Sequence, residues 1–228
     1  MLTTLSTIKR QVISCQRCPR LRAYCARVAR QKRAAFRDES YWGKPVPGFG
    51  DRRARVLVIG LAPAAHGANR TGRVFTGDKS GDFLFRALHD ACFANQPSST
   101  HLKDGLKLTD VYINAVVRCA PPENKPTKRE IHNCEHFLED ELKTLRNVQI
   151  IVALGKIACD AYWRLLATHG VRPKPKPRFA HGLVFDETKG LGPALVASYH
   201  PSQQNTNTGK LTANMLSDVF QQVRTLLK

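Results

Sequence analysis

Four short apolar runs, separated by helix-like segments, constrain the fold of this sequence most strongly. They read RVLVIG, VYINAVV, IIVAL and ALVASY, at residues 55–60, 111–117, 150–154 and 194–199. Runs of this length, rich in β-branched residues and apolar at nearly every position, are typical of strands buried on both faces. The alternation with helices predicts an α/β fold, a single-domain three-layer sandwich with a largely parallel central sheet.

Helical spacing of apolar residues predicts the intervening elements. We expect helices at residues 5–33, 81–94, 128–145, 156–167 and 211–227. The third has the clearest start, because Thr127 can cap it and Glu130 stands where a capping box needs it. A length of 228 residues suits one domain with a core that needs no disulfides. We therefore expect a single domain over 1–228, whose segment 1–54 is helix and loop.

The charge of the chain restricts its partners. Thirty-six Lys and Arg against 18 Asp and Glu give a net charge of +18, which favours polyanions. The basic residues are spread along the chain without a basic amphipathic helix, so nucleic acid is favoured over a membrane surface. Charge alone does not tell whether the nucleic acid is DNA or RNA. It also does not exclude a basic protein that binds no nucleic acid. Without an apolar run of about 18–20 residues or a signal region, we expect a cytoplasmic, nucleoid-associated monomer.

Seven cysteines in an apparently reducing compartment indicate ligation rather than disulfides. Two pairs carry the signal, a C-x2-C followed by Pro and a second pair that brackets the loop CAPPENKPT. These four are Cys15, Cys18, Cys119 and Cys134. Four thiolates can hold zinc or an iron–sulfur cluster, and spacing does not choose between them. Four ordinary buried cysteines are the remaining alternative.

The other three cysteines are Cys25, Cys92 and Cys159. Cys25 lies seven residues after the first pair and is the rival ligand. Cys92 and Cys159 fall on apolar helix faces and are expected to be core thiols.

Long loops follow the first and last strands, and they carry a family resemblance. They read GLAPAAHGANRTGRVFTGD at 60–78 and HPSQQNTNTG at 200–209. With CxxCPRL, YWGKPVPGFGD, RCAPPENKPT and ALGKIA, they make the chain resemble the family 5 (type b) uracil-DNA glycosylases of bacteria and archaea. The resemblance covers nearly the whole chain. It implies removal of uracil, and of related lesions such as hypoxanthine, from DNA in base excision repair. It also implies one [4Fe-4S] cluster on the four paired cysteines, which makes zinc the runner-up.

A glycosylase must turn its target base out of the duplex into a pocket, and four residues suit that pocket. Phe75 could stack on the base, and Asn114 could pair with its edge. His200 could donate a hydrogen bond to the base O2 or stabilise the departing anion, and Asn205 could hold the water or the base. Each has a structural alternative, namely a core Phe, a satisfied core Asn, a structural His and a turn-forming Asn.

Cleavage of the glycosidic bond builds positive charge on the sugar, which a carboxylate can stabilise. Many related glycosylases carry Asp, Asn or Glu just after the Gly that ends the first strand. Here Gly60 is followed by Leu61 and Ala62, so we count Gly60 and Ala62 only as substrate contacts. Asp78 is the one carboxylate between residues 60 and 80, and the family match also indicates it. We predict that it activates water and stabilises the cation, the alternative being a helix cap.

Several basic and amide side chains of the loops are predicted to contact DNA. They are Arg70, Arg73, Gln203, Gln204 and Lys210, with the loop RPKPKP at 172–177 as a further candidate or a solvated surface. Neither motif core offers a lysine for a Schiff base, so we predict a monofunctional enzyme without strand cleavage. A zinc-stabilised nucleic-acid-binding protein stays open as an alternative. A deaminase is disfavoured, since its zinc signature is absent.

Overall fold

A six-stranded sheet forms the centre of the computed structural model, which describes residues 4–186 and 192–227. The strands are β1 (Phe49–Gly50), β2 (Val56–Gly60), β3 (Val111–Ala115), β4 (Ile150–Leu154), β5 (Val184–Phe185) and β6 (Ala194–Ser198). Their order is β1-β3-β2-β4-β6-β5. The inner four are parallel, and each edge strand pairs antiparallel with its neighbour. The predicted α/β fold with a largely parallel sheet is therefore confirmed.

Helices cover both faces of this sheet. They are α1 (Leu5–Ser14), α2 (Pro19–Gln31), α3 (Ala68–Thr71), α4 (Lys79–Asp90), α5 (Lys128–Thr144), α6 (Lys156–Thr168), α7 (Gln203–Asn207) and α8 (Ala213–Leu226). Alternate strand residues supply two cores, as period-two side chains must. Leu57 and Ile59 pack with α2, α5 and α6 on one face, while Val56 and Val58 pack with α4 and α8 on the other. Three layers result, as predicted.

The helix α5 begins with the capping box that the sequence predicts. Thr127 Oγ1 accepts from the Glu130 backbone N–H at 3.2 Å, and the Glu130 carboxylate accepts from the Thr127 N–H at 2.8 Å. Both halves of the capping box are present, so this prediction is confirmed.

The single helix predicted over 5–33 is wrong in one respect, because the chain breaks it in two at the C-x2-C motif. Cys15 is extended and Cys18 is non-helical. Pro19 opens α2, and its ring disfavours helical backbone in the preceding residue. The C-x2-C motif therefore lies at the connection between α1 and α2.

The prediction of Cys92 as a core thiol is also wrong. The helix α4 ends at Asp90, and Cys92 follows it as an exposed residue with φ of +57°. Cys159 is fully buried on α6, as predicted. Among the described residues no helix is both long and apolar enough to cross a membrane.

Candidate active site

The long loops meet at the carboxyl edge of the sheet, as their positions after parallel strands predict. Gly60 ends β2, Gly155 follows β4 and His200 lies two residues beyond β6. The rings of Phe75 and His200, from the first and last loops, lie 5.9 Å apart between centroids with an interplanar angle of 32°. The first and last loops therefore form one site.

Two glycines make room for the aromatic face of this site. A Cβ on Gly60 would lie 2.7 Å from two ring atoms of Phe75, and a Cβ on Gly81 would lie 2.0 Å from the Phe75 carbonyl oxygen. The ring can therefore lie directly against the end of β2. Phe75 also adopts φ of +52°, a conformation that costs an ordinary residue about 1–3 kcal/mol. It is only partly buried against the second core, so it can present a face to a base while packing.

His200 stands at this edge as a neutral imidazole. Burial lowers its pKa from 6.5 to about 4, because desolvation disfavours the charged form. A Cβ on Gly155 would lie 3.3 Å from the His200 Cβ, so the strand end closes around it. Asn205 Nδ2 donates to the His200 carbonyl oxygen at 2.8 Å. In this structure Asn205 therefore shapes the loop that carries His200.

The two carboxylate oxygens of Asp78 contact different residues. Its Oδ1 accepts from the Gly81 N–H at 3.0 Å, which makes it the N-cap of α4. Its Oδ2 lies against Gly67, where a Cβ would stand only 1.8 Å away. Burial raises the pKa of Asp78, opposed by hydrogen bonds from the Gly81 and Ser80 backbone. The capping alternative is thus confirmed, and a cap that uses one oxygen leaves the other facing the loop.

Asn114 is fully buried one residue before the end of β3, in register with Ile59 of β2. Its Nδ2 donates to Glu141 Oε2 of α5 at 2.7 Å. Its Oδ1 has no hydrogen-bond partner among the described residues. Sequence reasoning missed Glu141, whose only signal was an acidic residue on the apolar face of α5.

The comparisons with known proteins agree with this architecture. The family model for the uracil DNA glycosylase superfamily matches residues 47–224, a span that contains the whole sheet. The chain belongs to that superfamily.

Within it, the chain groups with the type-5 enzymes. It is 50% identical over 213 residues to the type-5 uracil-DNA glycosylase of Thermus thermophilus, covering 93% of this chain and 94% of that one. The Mycobacterium tuberculosis type-5 uracil-DNA glycosylase is also 50% identical over 213 residues, covering 93% and 78%. The Pyrobaculum aerophilum type-5 uracil-DNA glycosylase is 44% identical over 210 residues, covering 92% and 88%. The predicted type-5 resemblance is confirmed.

Three of the four paired cysteines of this type-5 family member lie in the first core, and Cys15 packs against the small cluster of Ile8, Val12 and Phe137. Cys18, Cys119 and Cys134 are buried and Cys15 is partly exposed. Burial raises the pKa of Cys134 to about 11, with smaller contributions from Cys18 and Cys15. Asn133 Nδ2 donates to the Cys18 sulfur at 3.4 Å.

Cys25 belongs to the same neighbourhood. Its Sγ donates to the Ala120 carbonyl at 3.6 Å, and contact with it raises the pKa of Cys119. It therefore stays a rival ligand. Across residues 4–186 and 192–227, no three Cys, His, Asp or Glu side chains stand at metal-ligating geometry.

The predicted phosphate contacts of Arg70 and Arg73 are wrong, because the fold turns both side chains inward. Arg70 is 8% exposed and Arg73 is 5% exposed. Arg70 pairs with Glu39 and donates to the His66 and Gly77 carbonyls at 2.8 Å. Arg73 pairs with Asp104 at 2.5 Å. In this glycosylase fold the two guanidinium groups brace the loop between β2 and α4 from within.

The other predicted DNA contacts stay on the surface. Gln203, Gln204 and Lys210 are exposed on and after α7, beside the His200 loop. The Lys210 ammonium lies 4.9 Å from the centre of the Tyr199 ring. Ala62 is partly buried against the first core.

Proposed function

We propose that the protein is a monofunctional glycosylase that hydrolyses the N-glycosidic bond of uracil and related deaminated bases in DNA, leaving an abasic site for base excision repair. The geometry at the carboxyl edge of the sheet supports this activity. The Phe75 ring, the neutral His200 imidazole and the Asp78 loop meet at the carboxyl edge of the sheet.

His200 supplies a neutral hydrogen-bond donor. As the glycosidic bond breaks, negative charge collects on the base, above all at O2. An imidazole with a pKa of about 4 is neutral at pH 7, so its ring N–H stabilises that charge without an ionic histidine in the site. The Phe75 ring meanwhile stacks on the flipped base.

Asp78 supplies the negative group that stabilises the positive charge on the sugar. A carboxylate beside the sugar stabilises the developing cation and accepts a proton from the attacking water. Burial raises the pKa of Asp78, which makes it a stronger base. The Gly81 N–H holds one oxygen in place, so the carboxylate is positioned before substrate arrives.

Asn114 reads the base edge. Its Oδ1 is a buried acceptor without a partner among the described residues, a state that costs about 1–3 kcal/mol. The N3–H of uracil is a donor that relieves this cost once the base enters.

Four cysteines hold a [4Fe-4S] cluster in this proposal, namely Cys15, Cys18, Cys119 and Cys134. The donor set fits, since three of the sulfurs are buried in one core and thiolates are the ligands that such clusters take. When bound, the cluster would tie the junction of α1 and α2 to the loop before α5. Its role here is structural.

Colour and metal content test the cluster. Protein purified without oxygen should be brown and contain iron, and Cys134→Ser should lose both. Cys25→Ser is the matched control, because Cys25 is an equally buried thiol of the same core. A colourless protein with stoichiometric zinc contradicts the cluster, and loss of iron in Cys25→Ser contradicts the ligand set.

DNA is the partner that a net charge of +18 favours. The exposed Gln203, Gln204 and Lys210 flank the site and would contact the backbone or the gap that the flipped base leaves. We further propose that the protein acts as a cytoplasmic, nucleoid-associated monomer, which light scattering with and without DNA can check.

Base excision is tested with single- and double-stranded oligonucleotides carrying uracil or hypoxanthine. Wild type should produce alkali-labile sites and no strand cleavage without alkali. Asp78→Asn should lose most of the rate, whereas Asp90→Asn, an exposed carboxylate at the other end of the same helix, should keep it. Full activity in Asp78→Asn would contradict the mechanism. Borohydride trapping of the protein on DNA would contradict the monofunctional assignment.

A further inference from the structure

A buried carboxylate contacts the side chain that we assign to reading the base. Glu141 of α5 is 1% exposed and accepts from Asn114 Nδ2 at 2.7 Å. Arg118 is equally buried and donates to Glu141 through Nη2 at 2.5 Å and Nη1 at 3.3 Å. The three side chains form a chain of contacts between α5 and the end of β3.

An ionised carboxylate only accepts hydrogen bonds. Glu141 forms an ion pair with Arg118, whose two Nη groups both donate to the carboxylate. The Asn114 amide must therefore turn its NH2 group toward Glu141, and its oxygen must face the other way. That oxygen is the atom left without a partner among the described residues.

We infer that Glu141, held by Arg118, fixes the orientation of the Asn114 amide and so makes the site selective for uracil over cytosine. The inference rests on the proposed function, since it needs Asn114 to meet the base edge. Glu141 is a positioning residue here, because it acts through Asn114 and touches no reacting atom.

The two bases differ at the edge that an amide reads. Uracil presents a donor at N3 and an acceptor at O4, and cytosine presents an acceptor at N3 and a donor at N4. An amide with its oxygen toward N3 matches uracil, and the rotated amide matches cytosine. A free asparagine side chain can rotate to suit either base, so discrimination needs a third group that forbids the rotation.

A purely structural ion pair explains these contacts less well. Arg118 leaves its Nε unpaired, and Asn114 leaves its Oδ1 unpaired, within the described part of the chain. A buried ion pair is often no more stable than apolar residues of similar volume. The Asn114 oxygen is a buried acceptor that the N3–H of uracil would satisfy.

Binding of uncleaved DNA measures the selectivity directly. Oligonucleotides with 2′-fluoro-2′-deoxyuridine or 2′-fluoro-2′-deoxycytidine at the target position resist cleavage and allow the ratio of affinities to be determined. Glu141→Gln keeps the shape of the side chain but can donate as well as accept, so it permits the rotated amide. We expect the uracil-to-cytosine affinity ratio to fall by roughly 10-fold to 100-fold, the size of one bidentate base contact.

A double-mutant cycle separates positioning from general damage. If Glu141 acts through Asn114, then Glu141→Gln should change the ratio in wild type but not in Asn114→Ala. Glu130→Gln is the matched control, since Glu130 is a buried, arginine-paired glutamate of the same helix and does not contact Asn114. It should leave the ratio unchanged even where it lowers stability.

Should Glu141→Gln fold poorly, Arg118→Met with Glu141→Leu removes both charges and retains the volume. This pair should also lose the preference for uracil. A preserved preference in either folded variant overturns the inference while wild-type uracil excision leaves the proposed function intact. Failure of wild type to excise uracil contradicts the proposed function itself.

Discussion

Replacing Gly67 by alanine should displace the Asp78 carboxylate. The new Cβ would lie 1.8 Å from Asp78 Oδ2, whereas ordinary contacts begin near 3.4 Å. The backbone of Gly67 has φ of −100° and ψ of −102°, outside the regions that alanine prefers, so backbone strain adds to the clash. The carboxylate must retreat by about 1.5 Å, and a misplacement of about 1 Å at reacting groups can cost about 100-fold in rate.

Single-turnover cleavage of a uracil oligonucleotide measures this loss. The N-cap bond to Gly81 should weaken together with the rate, which lowers the free energy of unfolding by about 1 kcal/mol. Gly170→Ala is the control, because Gly170 has φ of +84° but no atom within 4 Å of an added Cβ. It should lower stability and keep activity. Wild-type rates in Gly67→Ala would refute the assignment of Asp78, as would an undiminished Gly67→Ala penalty in an Asp78→Ala background.

Charge and burial also determine how stability and DNA binding respond to pH and to substitution. Between pH 6.5 and about 4 the folded state binds fewer protons at His200 than the unfolded chain. The free energy of unfolding of wild type relative to His200→Gln should therefore rise with pH across that window and flatten above it, as denaturant titrations can determine. Arg73→Ala should destabilise the fold by about 3–5 kcal/mol, because it leaves Asp104 buried and unpaired; a thermal shift close to zero would contradict its internal role. Lys210→Ala should leave stability unchanged but lower DNA affinity and reduce the salt slope by about 1 in anisotropy titrations, and an unchanged slope would remove Lys210 from the interface.

The sheet could be predicted from the sequence because its inner strands are buried on both faces. Such strands have to be apolar throughout, which marks them without any tertiary information. The edge strands β1 and β5 have two residues each, too few for a periodic signal. The short helix α7 was missed for a related reason, since QQNTN carries no apolar stripe.

Candidate site residues could be named from the sequence, but the partners of their charged and polar groups could not. An arginine in a glycine-rich loop indicates a phosphate contact unless a distant carboxylate meets it. Arg70 meets Glu39, and Arg73 meets Asp104, each 31 residues away in sequence. Glu141 approaches Asn114 across 27 residues. These partners come together only when the loops and helices pack over the sheet, so no local sequence pattern predicts them.

The split N-terminal helix also has consequences for how the molecule opens. Beyond the two main cores, α1 buries only Ile8 and Val12 against Phe137, in a small satellite cluster. Protein regions with few buried apolar contacts detach at far lower free energy than the central sheet. The first cysteine pair follows directly on this weakly anchored segment, so fluctuations of α1 would set how readily solvent and oxidants reach the thiols. Amide exchange in α1 would then be an early indicator of damage that the sheet does not register.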